Sequence, residues 1–412
     1  MARTYSRWLR LVGGVTAVVT AAVLSTATLP AHALPEGTVV GAGRAGSVGG
    51  SYLVTLDAGI KGASAAGRDV AARYGAKISH TYGAVLNGYA VEASAAQARR
   101  LAADPRVASV VQDSRVQLVR TRENTRQNIR KNIQKNPPSW GLDRVDQAGL
   151  PLNRSFVSPG SGGAGVTVYV IDTGVRITDT DFGGRAGYGW DFVGNDGSAG
   201  DGNGHGSHVA GIIAGTRYGV AKKARLVSVR VLDDTGSGTT AQVIAGVDWV
   251  TAHARRPAVA NLSLGGYHSP PLDAAVRNSI RAGVTYTVAA GNGGVPAARY
   301  SPADVPQALT VGATDRTDAR AGFSDYGSAV DLFAPGVAIT SDSNASDTAS
   351  ATYSGTSMAA PHVAGAAALY LAGHRGATPA QVADALIARA ASGKVSDAGH
   401  GSPNRLLRVP ET

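Results

Sequence analysis

Between residues 166 and 290 the chain alternates short β-branched apolar runs with segments of helix length. This alternation constrains the fold more than any other feature of the sequence. Residues 166–171, 225–232, 259–264 and 284–290 read as strands buried on both faces, with helices at 239–254 and 272–282. Strands and helices alternating at this spacing join by right-handed crossovers into a parallel sheet. The strand ends then gather along one edge, where open α/β sheets hold their ligands. Asp172 follows the first run directly, and Asn292 follows the last. Taken alone, Asp-Thr-Gly and Asn-Gly are also ordinary turn sequences.

Two further stretches carry chemistry. Gly355-Thr356-Ser357-Met358-Ala359-Ala360-Pro361-His362-Val363-Ala364-Gly365 predicts a buried helix with Ser357 in its first turn, where unpaired backbone N–H groups favour developing negative charge. Pro361 is tolerated near that turn and kinks a helix further in. A lone Thr-Ser pair is equally a common helix cap. Asp201-Gly202-Asn203-Gly204-His205-Gly206-Ser207-His208 puts two histidines three apart on one helical face. That spacing suits a metal pair, but no Glu follows His205 and no third histidine lies close.

The N-terminal third differs in composition. Residues 1–135 hold 18 of the 39 Lys/Arg but only 7 of the 29 Asp/Glu, so 21 basic and 22 acidic residues remain beyond them and the net charge of +10 belongs to this third. Nucleic-acid binding by the remainder is therefore not expected. Arg3, Arg7 and Arg10, the apolar residues 11–29 and Ala31-His32-Ala33 form a secretory signal pattern over residues 1–33; an uncleaved anchor is the alternative. Residues 51–119 read as strand, helix, two strands, helix and a last extended stretch, the βαββαβ order of a small ferredoxin-like α+β unit. No catalytic constellation is visible in it. Residues 120–139 are polar and basic, as in a flexible linker open to proteolysis. With 43% hydrophobic residues the chain can bury a large core, and with no cysteine it has no disulfides or thiolate-held metals.

Together the three motifs, in the order Asp172, His205, Ser357, resemble the subtilisin-like serine peptidases, peptidase family S8. Trp140-Gly141-Leu142-Asp143-Arg144-Val145, Tyr300-Ser301-Pro302 and Asp331-Leu332-Phe333-Ala334-Pro335-Gly336 are similar to the proteinase K-like subgroup. Leu86-Asn87-Gly88-Tyr89-Ala90-Val91 and Asp104-Pro105-Arg106-Val107-Ala108-Ser109-Val110 resemble the I9-type inhibitor prodomain of those enzymes. Ser207 stands where the family more often has Thr.

The resemblance implies a subtilisin-like α/β fold with a mostly parallel sheet flanked by helices. Its domains would be a signal peptide (1–33), an inhibitor and folding-assistant prodomain (34–120), a linker with the processing site (121–139) and a catalytic domain (140–412). It implies a secreted, self-processing serine endopeptidase of broad specificity, with Ser357 as nucleophile, His205 as base, Asp172 as orienting acid, Asn292 as oxyanion donor and His208 as a structural residue. Gly236, Ser237 and Gly238 would pair with an extended substrate. Ser263, Leu264, Gly265, Gly266, Ala289, Ala290 and Gly291 would wall an apolar S1 pocket for aromatic or large aliphatic residues. A structural calcium ion would sit on the carbonyls of Pro306 and Ala308 and the carboxylate of Asp331. The expected partners are polypeptide substrates and the chain's own prodomain, with no nucleic acid, no membrane after signal removal and no second subunit.

Overall fold

The computed structural model describes residues 35–118, 121–123, 134–158 and 160–409. The signal pattern at 1–33 and residues 124–133 of the expected linker lie outside the described residues.

The predicted alternation folds as a nine-stranded sheet. From one edge the strands run Ala391–Ser392, Arg405–Leu406, Leu332–Pro335, Leu309–Thr314, Thr285–Ala289, Ala258–Leu262, Thr167–Asp172, Arg225–Arg230 and Ala186–Asp191. All neighbours are parallel except the first pair. Successive side chains on a strand point to opposite faces, and the two cores follow that period. Val168 and Val170 pack with the helices His205–Ala214 and Thr356–Gly373, whereas Tyr169 and Ile171 pack with Thr240–His253 and Pro270–Arg281. Helices cover both faces, which is why these strands read as unbroken apolar runs.

Ahead of this body, Ser47–Leu56, Ala65–Arg73, Lys77–Tyr82, Gly88–Glu92, Ala95–Ala102 and Val107–Leu118 follow the expected βαββαβ order. The strands pair antiparallel in spatial order fourth, first, third, second. Side chains alternate here too: Tyr52, Val54, Tyr89 and Val91 pack beneath the unit's own helices. Leu53, Tyr82, Val85 and Ala90 join the core around Thr240–His253 and Pro270–Arg281. The junction is also polar. Asp248 accepts the backbone N–H groups of Ala84 and Val85 at 2.7 and 2.8 Å, and Tyr82 donates to the Ala241 carbonyl.

The last strand, Val107–Leu118, outruns its own unit. Its end enters the larger body and pairs antiparallel with Ser237–Thr239 on one side and Leu264–Tyr267 on the other. Thr121–Glu123 then pairs with Ser350–Ser354.

The expected linker is more ordered at its far end than its composition implies. Gln134 exchanges backbone hydrogen bonds with Phe156, and its amide donates to the Arg217 carbonyl at 2.6 Å. Trp140–Val145 then forms a short, wholly buried helix.

Candidate active site

Asp172 ends the strand Thr167–Asp172, and His205 opens the helix His205–Ala214. His205 Nδ1 lies 2.8 Å from Asp172 Oδ1, and both residues are fully buried. With Asp172 accepting, the proton sits on Nδ1 and Nε2 is the acceptor nitrogen. Nε2 is buried without a hydrogen-bond partner.

The approach of the two elements is close. A Cβ at Gly206 would stand 2.0 Å from the Gly174 carbonyl oxygen, so only glycine lets the helix meet the Asp172 turn. Thr173 joins them: its hydroxyl accepts the Gly206 N–H at 3.0 Å and donates to Asp201 at 2.9 Å. Asp201 also accepts the N–H groups of Asn203, Gly204 and Ser207, tying the loop to the helix start. Ser207 keeps a working hydroxyl, which accepts the Arg176 N–H.

Ser357 is the second residue of Thr356–Gly373. Pro361 lies inside this helix without ending it, and having no N–H it leaves the carbonyl of Ser357 without its i+4 donor. That carbonyl instead accepts the Ser263 hydroxyl at 2.9 Å. The Ser357 hydroxyl donates to the Ser263 carbonyl, also at 2.9 Å. Beneath them, Asn261 donates to Ser263 Oγ and accepts from the Thr287 hydroxyl. The serine therefore rests on a buried polar ladder rather than on His205.

Asn292 follows the strand Thr285–Ala289 across the glycine turn at Gly291, where φ is +114°. Its Oδ1 accepts both the N–H and the hydroxyl of Thr356, at 2.9 and 2.8 Å. This orients the side chain with its N–H donors opposite that oxygen. His208, three residues after His205, turns elsewhere. Its Nε2 meets the carbonyls of Ile339 and Ala351, and its ring stacks on Tyr353 at 4.4 Å. The two histidines share no site.

The predicted substrate strands enclose the end of Val107–Leu118. Gln117 lies opposite Ser237 and Gly265, Val116 opposite Gly238 and Gly266, and Leu118 opposite Leu264. Gly236 precedes its strand in the left-handed region, φ +80°, and its carbonyl accepts the Leu118 N–H at 3.0 Å. A cavity of about 430 Å³ opens beside this segment, lined by Gly265, Gly266, Ala289, Ala290, Gly291 and Asn292. Its lining departs from the expected uncharged wall at Arg115, from the inserted strand, and at Asp325, one of whose carboxylate oxygens accepts the N–H groups of Gly293 and Val295. Tyr267 and Tyr300 add aromatic surface.

Pro306 and Asp331 line a separate cavity of about 280 Å³. Asp331 accepts the Thr310 N–H at 2.8 Å, and no ion pair reaches it among the described residues. Ala308, the third expected calcium ligand, is buried and does not line this cavity.

Several supporting residues are not evident from the motifs. Asp201 lies within the His205 motif, and Asx turn chemistry is its signal. Asn261 is a polar residue in an otherwise apolar strand, a pattern that marks a needed hydrogen bond. Thr173 and Thr356 carry no signal beyond their neighbours.

This fold and site define a serine peptidase, made as a catalytic body with an inhibitor unit ahead of it. The chain belongs to the subtilase family, whose pattern matches residues 163–406, while the peptidase inhibitor I9 pattern matches residues 51–119. It is 51% identical over 336 residues to an extracellular serine proteinase of Thermus sp. (strain Rt41A), covering 82% of this chain and 78% of that one. It is 47% identical over 334 residues to alkaline serine exoprotease A of Vibrio alginolyticus, covering 81% of this chain and 60% of that protein. A solved cold-adapted subtilisin-like serine proteinase aligns with TM-score 0.65 at 53% identity, covering 66% of this chain and 98% of its own.

Proposed function

We propose that this chain is a secreted, self-processing serine endopeptidase that cuts proteins with broad specificity, and that its own first cut falls between Val119 and Arg120, just ahead of the 121–139 linker expected to hold the processing site. The pairing of the chain on either side of Ser357 carries the reading. Before the serine, Leu118 lies opposite Leu264, next to the Ser263 carbonyl that receives the Ser357 hydroxyl. After it, Thr121 lies opposite Ser354, three residues ahead of Ser357. Val119 and Arg120, both outside the described residues, are the two residues that separate the paired segments in the sequence. The bond between them is therefore the one we assign to the first cut.

In the attack, the Ser357 hydroxyl leaves the Ser263 carbonyl and passes its proton to His205 Nε2 as Oγ bonds to the carbonyl carbon of Val119. Asp172 holds the Nδ1 proton and stabilises the imidazolium. The Asn292 amide and the Ser357 N–H take the charge forming on the carbonyl oxygen. His205 then returns its proton to the leaving nitrogen of Arg120, and water hydrolyses the acyl-enzyme. Exogenous peptides would pair with the same two strands by main-chain groups. The glycine, alanine and tyrosine lining of the adjoining cavity suits aromatic or large aliphatic P1 side chains. The relatives' extracellular names and the signal pattern at 1–33 support secretion. A calcium ion, where bound, would clamp the loop at Asp331 together with the Pro306 and Ala308 carbonyls. The working enzyme is read as a monomer.

Intact mass and N-terminal sequencing of the full chain without its signal segment, beside Ser357→Ala, test the reading. The expected result is a new N-terminus at Arg120 in the wild type and an uncut mutant. Equal cutting of both proteins, or a first cut elsewhere, overturns it.

A further inference from the structure

We infer that His268, Asp273 and Asp304 form a binding site for a divalent transition ion of the zinc class, placed to staple the two strands that border the substrate cavity. The three side chains come from separate segments. His268 follows the strand Leu264–Tyr267, Asp273 lies in the first turn of Pro270–Arg281, and Asp304 follows the strand Tyr300–Ser301. One ligand atom from each lies within 4.8 Å of the others. His268 Nδ1 stands 2.7 Å from Asp304 Oδ2 and 3.6 Å from Asp273 Oδ2.

The carboxylates are what call for a cation. Asp273 is only 3% exposed and Asp304 is largely covered. Each keeps a buried Oδ1 with no hydrogen-bond partner, and no Lys or Arg pairs with either among the described residues. Two buried carboxylates facing one another repel, and His268 is the one basic side chain that reaches them among the described residues. A first-turn position in a helix eases one such charge and not a pair. One nitrogen and two carboxylates suit a borderline transition ion, whereas calcium takes six to eight oxygens. Ligand atoms around a tetrahedral zinc stand about 3.3 Å apart, so the separations of 2.7 and 3.6 Å from His268 each need to change by well under 1 Å. The His268 side chain is 53% exposed, leaving a path for entry and a position for water.

The location gives the ion a consequence. Gly266 and Tyr267 pair with Ser301 and Tyr300, and these same residues line the cavity beside Leu118. The ligands sit just past the ends of both strands. An ion there would fix the wall against which a substrate pairs.

The site stands independently of the peptidase reading, because its test measures binding. The protein is the full chain without its signal segment carrying Ser357→Ala, in millimolar calcium, titrated with Zn2+ by calorimetry and with Co2+ by absorption. One ion per chain is expected at micromolar affinity. At least a tenfold weaker affinity is expected in His268→Ala, at an exposed position, and in Asp304→Asn, which keeps the size of the largely covered side chain, and no change in His374→Ala. Zinc should also raise the melting temperature by several degrees in the parent and not in those two variants. No saturable binding, or binding undiminished by His268→Ala and Asp304→Asn, overturns the site.

Discussion

At the scale of single residues, the proposed catalysis would depend on side chains that hold other side chains. Replacing Asn292 by Ala should lower kcat by about 10²–10³ with KM little changed, the usual size for one oxyanion donor. The Thr356 hydroxyl touches no reacting atom, yet it donates to Asn292 Oδ1 and accepts the Gly291 N–H at 3.2 Å. Thr356→Val should therefore lower kcat by roughly tenfold, about the free energy of one hydrogen bond to a well-held group. Peptide-amide hydrolysis read as kcat against KM separates this from a packing defect, and an unchanged kcat would show that the Thr356 backbone N–H alone positions Asn292. The placement of Asp172, His205, Asn292 and Ser357 near strand ends and helix starts was legible from the short motif around each. The Ser263 ladder was not. Its geometry depends on which carbonyl Pro361 leaves unpaired, and that is settled only when helix and strand are packed.

At the scale of elements, the helix Thr356–Gly373 carries the serine and also a buried base. His362 is buried, its Nδ1 against the Met358 carbonyl, and burial pushes it down to about 4 from an ordinary 6.5. The unfolded chain takes up a proton near pH 6.5 that the folded chain refuses until about pH 4. This contribution is complete above the unfolded value and is lost as pH falls through that window, by up to about 3 kcal/mol. Denaturant midpoints between pH 4 and 7 should slope less in His362→Gln, and an identical slope would remove His362 as the cause. Elements of this kind were largely legible. Apolar periodicity gave 239–254 where the helix is Thr240–His253, capped by the Thr239 hydroxyl. It missed the start of Pro270–Arg281, because two prolines read as a break although proline suits a first turn. It also shortened Ser47–Leu56, whose opening residues Ser47-Val48-Gly49-Gly50 carry little β-forming signal.

At the scale of the whole molecule, the inhibitor unit and the catalytic body share one strand. The sheet containing Val107–Leu118 takes strands from both, and Asp248 fastens the loop at Ala84 and Val85. Hydrogen bonds to a charged group contribute about 1.5–3 kcal/mol each. Asp248→Ala should therefore speed escape of the cleaved inhibitor by tenfold or more, measured as a shorter lag before activity toward a peptide substrate. An unaltered lag would mean that the apolar contacts of Tyr82 and Val85 alone set the release. The shared strand also bears on the reaction order of the proposed maturation. Because the strand up to Leu118 is seated within its own chain, a self-cut just beyond it would be first order, with a half-time that dilution does not change. Rebinding of the severed inhibitor is second order and slows in proportion to concentration. Concentrated precursor would thus become cleaved yet stay silent, and dilution after the cut is the step that releases activity.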